Sequence, residues 1–81
     1  MKYLYFTSEY CAPCKTIKPK IIKHHEIIVI DVDKNGKYVK KYSIMSIPTL
    51  LVLNDDDTVE QQITGTSINK FLKDNLDGRT I

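Results

Sequence analysis

Apolar and polar positions alternate in rhythms that change along the chain, and each change marks an element. Lys2–Thr7 is aromatic and apolar and reads as a strand. After the short connection Ser8-Glu9-Tyr10, Cys14, Ile17 and Ile21 recur at three- and four-residue spacing, which predicts a helix from Cys11 to about His25 with one buried face. Lys15, Lys18, Lys20 and Lys23 mostly take its other positions. Pro13 falls in the first turn, where a missing N–H costs nothing, and Pro19 further in predicts a kink. Ile27–Val32 reads as a second strand, apolar on both faces. Asp33-Lys34-Asn35-Gly36 then leads into a short helix ending near Tyr42, with Tyr38, Val39 and Tyr42 expected to face inward.

Thr49–Leu53 reads as a third, fully apolar strand, and Asn54–Asp57 as a turn of side chains that bond their own backbone. Thr58–Thr64 sets Val59, Gln61 and Ile63 against Glu60 and Gln62, the alternation of a half-exposed edge strand. Ser67 is placed to cap a last helix with the stripe Ile68, Phe71, Leu72 and Leu76, closed by Gly78. The order is βαβαββα, an α/β fold. Strands joined through helices are expected to be parallel with right-handed crossovers, and the last two to form an antiparallel hairpin. The expected architecture is a four-stranded mixed sheet with helices on both faces, formed by residues 1–81 as one domain.

Composition narrows the function. Of 81 residues, 42% are hydrophobic and 27% charged, a globular balance. Twelve Lys+Arg against ten Asp+Glu leave a formal charge of +2, which argues against nucleic-acid or membrane-surface binding. No apolar run approaches the roughly 20 residues of a membrane span. The opening Met1–Phe6 is too short for a signal-peptide core, so a cytoplasmic location is expected. The expected state is a monomer.

Cysteine usage turns composition into chemistry. The only two cysteines stand together in Cys11-Ala12-Pro13-Cys14 and cannot staple distant parts of the chain. At the junction of a strand and a helix, C-x-x-C reads as a thiol–disulfide redox pair. Unsatisfied first-turn N–H groups carry partial positive charge and favour a thiolate, and Lys15 adds to it. Cys11, at the exposed helix end, is the expected nucleophile. Cys14 points inward and is expected to resolve the mixed disulfide, leaving an intramolecular Cys11–Cys14 bond.

Around that pair the sequence resembles the thioredoxin family. The resemblance rests on Cys11-Ala12-Pro13-Cys14-Lys15, Pro19 eight residues past the first cysteine, Ile47-Pro48-Thr49, and Gly65 after the last strand. It runs from about Lys2 to Leu76 and lacks the leading strand and helix of full-length thioredoxins, so the chain is similar to the minimal, glutaredoxin-sized forms of phages and archaea. The resemblance implies a cis Pro48 stacked against the cysteines, with the Ile47 backbone turned toward an extended substrate segment. It likewise implies a substrate surface of Tyr10, Ala12, Pro13, Ile47, Pro48 and Gly65, and that the position of Pro48 keeps metals from the sulfurs. It implies a protein disulfide reductase with no bound cofactor, fed with electrons from NADPH by a thioredoxin reductase and acting on clients such as ribonucleotide reductase.

Departures from the family pattern bear on mechanism. Thioredoxins usually carry a buried Asp six residues before the first cysteine, and Tyr5 stands there. Their partner Lys on the next strand aligns with Val29, their Trp before the first cysteine with Tyr10, and their Gly between the cysteines with Ala12. Cys14 is therefore expected to lose its proton to water or to the leaving thiolate. Absence of the Asp moves the chain toward glutaredoxins, which are fed by glutathione, but Gly65-Thr66-Ser67 lacks their Gly-Gly and following acid. A thioredoxin-fold accessory module with incidental cysteines is the reading from another class.

Other signals weigh less. Asp31-Val32-Asp33-Lys34-Asn35-Gly36 matches the opening of an EF-hand loop, but Tyr42 stands at the closing Glu position and a strand precedes it. His24 and His25 with Cys11 and Cys14 are zinc-type side chains at a spacing that misses the finger pattern. The lysines of the first helix read as a solvated face, with Lys18 one turn beyond Cys14.

Overall fold

A computed structural model describes residues 1–76 of the chain. Its elements are β1 (Lys2–Thr7), α1 (Ala12–Ile22), β2 (Ile27–Asp31), α2 (Gly36–Lys41), β3 (Thr49–Leu53), β4 (Val59–Thr64) and α3 (Ser67–Asn75). The sheet order is β2-β1-β3-β4. β1 runs parallel to β2 and antiparallel to β3, and β3 pairs antiparallel with β4. The βαβαββα order and the mixed sheet are as expected, and so are the parallel β1–α1–β2 unit and the antiparallel β3–β4 hairpin. β3, however, runs antiparallel to β2 rather than parallel to it, because the chain returns from α2 to the far side of β1 and pairs there in the opposite direction. Gly78, expected to close the last helix, lies outside the described residues.

Alternation along β1 and β3 divides the interior in two. Tyr5 and Leu50 face α1 and α3, where they join Ile17, Ile21, Ile27, Ile68, Leu72 and Leu76. Leu4, Phe6, Leu51 and Leu53 face the other way with Ile30, and Tyr42, Ile44 and Ile47 pack onto them from α2 and the loop behind it. The central strands are therefore apolar on both faces because each face has its own layer to meet.

Several expectations change at the edges. The first helix ends at Ile22, three residues early, because His24 donates to the Ile21 carbonyl and Ile27 to His24 in a tight turn into β2. β2 is itself an edge, so Ile28 and Val29 are exposed rather than covered on both faces. Tyr38 is exposed too, since α2 spans six residues and offers only Val39 and Tyr42 partial cover. In β4 only Ile63 is half-buried. A register shift sets Gln61 opposite Val52 but Val59 opposite Leu53, so Glu60 is bulged out and Val59 leaves the face of Ile63. Thr66, not Ser67, takes the N-cap of α3, without a side-chain bond. The chain enters that helix through Gly65 at φ +60°.

Among the described residues Gly65 is the one glycine whose conformation is demanded by its backbone. A Cβ there would meet nothing within 4 Å, so Gly65→Ala costs only the left-handed conformation, about 1–2 kcal/mol. Thermal unfolding is expected to show that loss as a lower midpoint with an unchanged native spectrum.

Candidate active site

Strand directions gather the chemistry at one end of the sheet. β1 ends at Thr7, opposite Asp31 at the end of β2; Phe6 pairs with Thr49 at the start of β3, and Thr49 with Thr64 at the end of β4. The loop to Cys11, the Ile47–Pro48 segment and Gly65 therefore leave the sheet from the same end. Pro48 is buried and its peptide bond with Ile47 is cis. Gly65 N–H donates to the Pro48 carbonyl at 3.0 Å, tying the two loops together. Among the described residues neither the N–H nor the C=O of Ile47 takes an in-chain backbone bond.

Cys11 and Cys14 form a disulfide across the first turn of α1, with Cα atoms 5.2 Å apart. Cys11 is the N-cap residue, in an extended conformation, and its sulfur accepts the Cys14 N–H at 3.2 Å. A helix-end donor thus points at the outer sulfur, where it also stabilises a thiolate. Cys11 is half-buried and Cys14 has no exposed surface. The difference has a local cause: Cys14 shares the buried stripe of Ile17 and Ile21, whereas Cys11 precedes the helix. Ala12, Pro13 and Lys15 are exposed, and Lys15 N–H closes the first turn onto the Cys11 carbonyl. Tyr10 stands 87% exposed beside the pair.

Tyr5 lies beneath the helix start and donates its hydroxyl to the Cys14 carbonyl at 3.0 Å. Burial pushes its phenol up to about 12, against a smaller downward pull from the Thr7 hydroxyl. It stays neutral at physiological pH and holds the helix start by a hydrogen bond rather than by charge. Because the folded chain keeps this proton more tightly than the unfolded one, its contribution is complete below pH 10 and is lost as pH rises toward about 12. A spectrophotometric titration is expected to show one of the five tyrosines ionising near pH 12, a step that Tyr5→Phe removes.

Two positioning residues escape sequence reasoning. Ser8 is buried; its hydroxyl donates to Asp33 at 2.7 Å and accepts the Tyr10 N–H, while its carbonyl accepts the Cys11 N–H. The partner is 25 residues away, so no local pattern reveals it. Thr49, counted with an apolar strand, is fully buried and donates to the Ser46 carbonyl at 2.7 Å, bracing the loop that carries Pro48. The EF-hand-like stretch spends its polar groups on its own turn: Asp31 accepts Asp33 N–H on its side chain and Asn35 Nδ2 on its carbonyl.

Two grooves flank the disulfide end. One of about 550 Å³ is lined by Lys15, Lys18, Thr7, Ser8, Val29 and Asp31, among others. The other, about 190 Å³, is lined by Val32, Val39, Ile44, Met45, Ser46 and Ile47, with Met45 almost wholly exposed on its rim.

Known proteins with this pattern agree with one another. The family model described as Thioredoxin matches residues 2–77. Thioredoxin from Bacillus subtilis is 42% identical over 65 residues, covering 72% of this chain and 62% of the relative. Thioredoxin from Staphylococcus epidermidis is 34% identical over 70 residues, covering 78% and 67%. The chain thus spans about three-fifths to two-thirds of the length of these relatives. Among solved structures, the reduced Schistosoma mansoni thioredoxin pre-protein is 27% identical over 98% of this chain and 77% of that one, with a TM-score of 0.75. Thioredoxin 1 of Thermosipho africanus covers both chains fully with a TM-score of 0.74, and at 23% identity speaks for the fold alone.

Proposed function

The chain belongs to the thioredoxin family, and from that premise we propose that it is a thiol–disulfide oxidoreductase that reduces protein disulfides. The observation that carries this reading is the Cys11–Cys14 disulfide at a helix start, one sulfur accessible and the other buried.

In the reduced protein the Cys11 thiolate attacks one sulfur of a client disulfide. That S–S bond breaks, one client sulfur leaves as a thiolate, and a Cys11–client mixed disulfide remains. Cys14 then attacks the Cys11 sulfur, releasing the second client thiolate and forming the Cys11–Cys14 bond. The client gains two electrons and the protein loses two. Tyr5 is a donor with its pKa held near 12, so it does not take the Cys14 proton, which passes to water or to the departing client thiolate. A pH–rate profile with an extra ionisation near neutrality, abolished by Tyr5→Phe, would contradict that assignment.

Client binding follows from the same surface. The unbonded Ile47 backbone pairs with an extended client segment, Tyr10, Ala12, Pro13, Pro48 and Gly65 border it, and the apolar groove beside Met45 accepts a flanking side chain. Lys15 adds positive charge near the Cys11 thiolate. No bound cofactor is needed: electrons come from NADPH through a thioredoxin reductase in the cytoplasm, and ribonucleotide reductase is a fitting client. Among the described residues no helix is long and apolar enough to cross a membrane. The test incubates the oxidised protein with thioredoxin reductase plus NADPH or with glutathione. Rapid reduction by the first alone is expected, and reduction by glutathione alone would overturn the electron source.

A further inference from the structure

β2 is the one edge whose side chains suit a partner. Ile28 and Val29 are 54% and 38% exposed on opposite faces of it, whereas the other edge, β4, carries mostly polar side chains and a bulge. Long, flat, apolar edges are ordinarily blunted by charge, proline or a bulge, and Ile27–Ile30 contains none of these.

The backbone groups on this edge follow from register. Thr7 sits opposite Asp31 and accepts the Val32 N–H, so Ile28, Ile30 and Val32 turn toward β1, and Ile27, Val29 and Asp31 turn outward. Of those outward groups, the Ile27 N–H is taken by His24, and the Asp31 carbonyl by Lys34 N–H and Asn35 Nδ2. What remains among the described residues is the N–H and C=O of Val29, the C=O of Ile27 and the N–H of Asp31. That set is self-complementary in one antiparallel register.

We propose that β2 is a self-association edge: two copies of the chain pair antiparallel about Val29 and continue the sheet across a two-fold axis. Each Val29 exchanges both backbone bonds with Val29 of the second copy, and each Asp31 N–H donates to Ile27 of the second copy. The groups this register leaves over are the two already bonded within the chain. Val29 meets its own copy on one face and Ile28 meets Ile30 on the other. Just beyond the strand ends Glu26 stands diagonal to Lys34, a pair of opposite charges that attract. Two five-residue strands bury less than the roughly 1,000 Å² of a lasting interface, so the dimer is concentration-dependent, with a Kd on the order of 10⁻⁴ M. The active-site cysteines take no part in it.

Sedimentation velocity of the reduced protein over a concentration series tests this, together with amide exchange at low and high concentration. The expected result is a monomer–dimer equilibrium in which the Val29 and Asp31 amides gain protection of about tenfold or more at high concentration, while those of Ile28 and Ile30 are protected throughout. Val29→Pro removes an outward N–H and spares the β1 ladder, and Val29→Lys, a second variant, sets like charges across the axis. Both are expected to stay monomeric with an unchanged native spectrum. A wild type that is monomeric at roughly 1 mM, well above that Kd, overturns the proposal. So does a dimer that persists in both variants, or one seen only without reductant, which is a thiol crosslink.

Discussion

Replacing Cys11 by Ser is expected to abolish disulfide reduction, by on the order of 10³-fold or more, because the covalent intermediate itself can no longer form. Cys14→Ser is expected to fail differently. Its Cys11 still attacks, but nothing resolves the product, so the client stays attached through Cys11 as a stable mixed disulfide. The asymmetry rests on exposure: a client sulfur can approach Cys11, whereas Cys14 has no accessible surface and can be reached only from the adjacent Cys11 sulfur. Non-reducing electrophoresis with mass mapping of the trapped client checks both. Equal trapping through Cys14 in the Cys11→Ser variant would reverse the assigned roles.

The second large effect is structural. Leu50 has no exposed surface and lies in the sheet's central strand pair, opposite both Tyr5 and Ile63 and within the cluster formed with α1 and α3. Leu50→Ala is expected to cost about 2–5 kcal/mol, the lost transfer energy plus the cavity left behind. For a domain of this size that lowers the melting temperature by at least about 10 °C and consumes much of a stability of roughly 5–15 kcal/mol. Urea unfolding is the check: the midpoint should drop with little change in slope. A loss below about 1 kcal/mol would mean that the sheet and helices close over the gap.

Most of the architecture was legible because each layer imposes its own period. The three- and four-residue spacing of Cys14, Ile17 and Ile21 names the face of α1, and the continuous apolar run Leu50–Leu53 names a strand covered on both sides. The reading failed where one residue's environment is decided by a distant one. Ile28 and Val29 have the same apolar character as Leu50 and Leu51, and only the strand order, which no local window contains, makes one pair an edge and the other a centre. The shift at Glu60 likewise arises between strands and undid a clean alternation in β4. The cysteine pair was legible in type and place because its spacing and helix start are local. Its bracing by Ser8–Asp33 and Thr49–Ser46 was not, since hydroxyls in loops carry no periodic signal.

β1 and β3 each send alternate side chains into both interior clusters, Tyr5 and Leu50 to one, Leu4, Phe6, Leu51 and Leu53 to the other. The two layers therefore share a wall and cannot be lost separately. Peeling α3 away strips the ground from Tyr5 and Leu50, which loosens β1 and β3 and with them the seat of Phe6 and Leu51. Thermal or chemical unfolding is consequently an all-or-none event, and the slowest-exchanging amides belong to those two central strands.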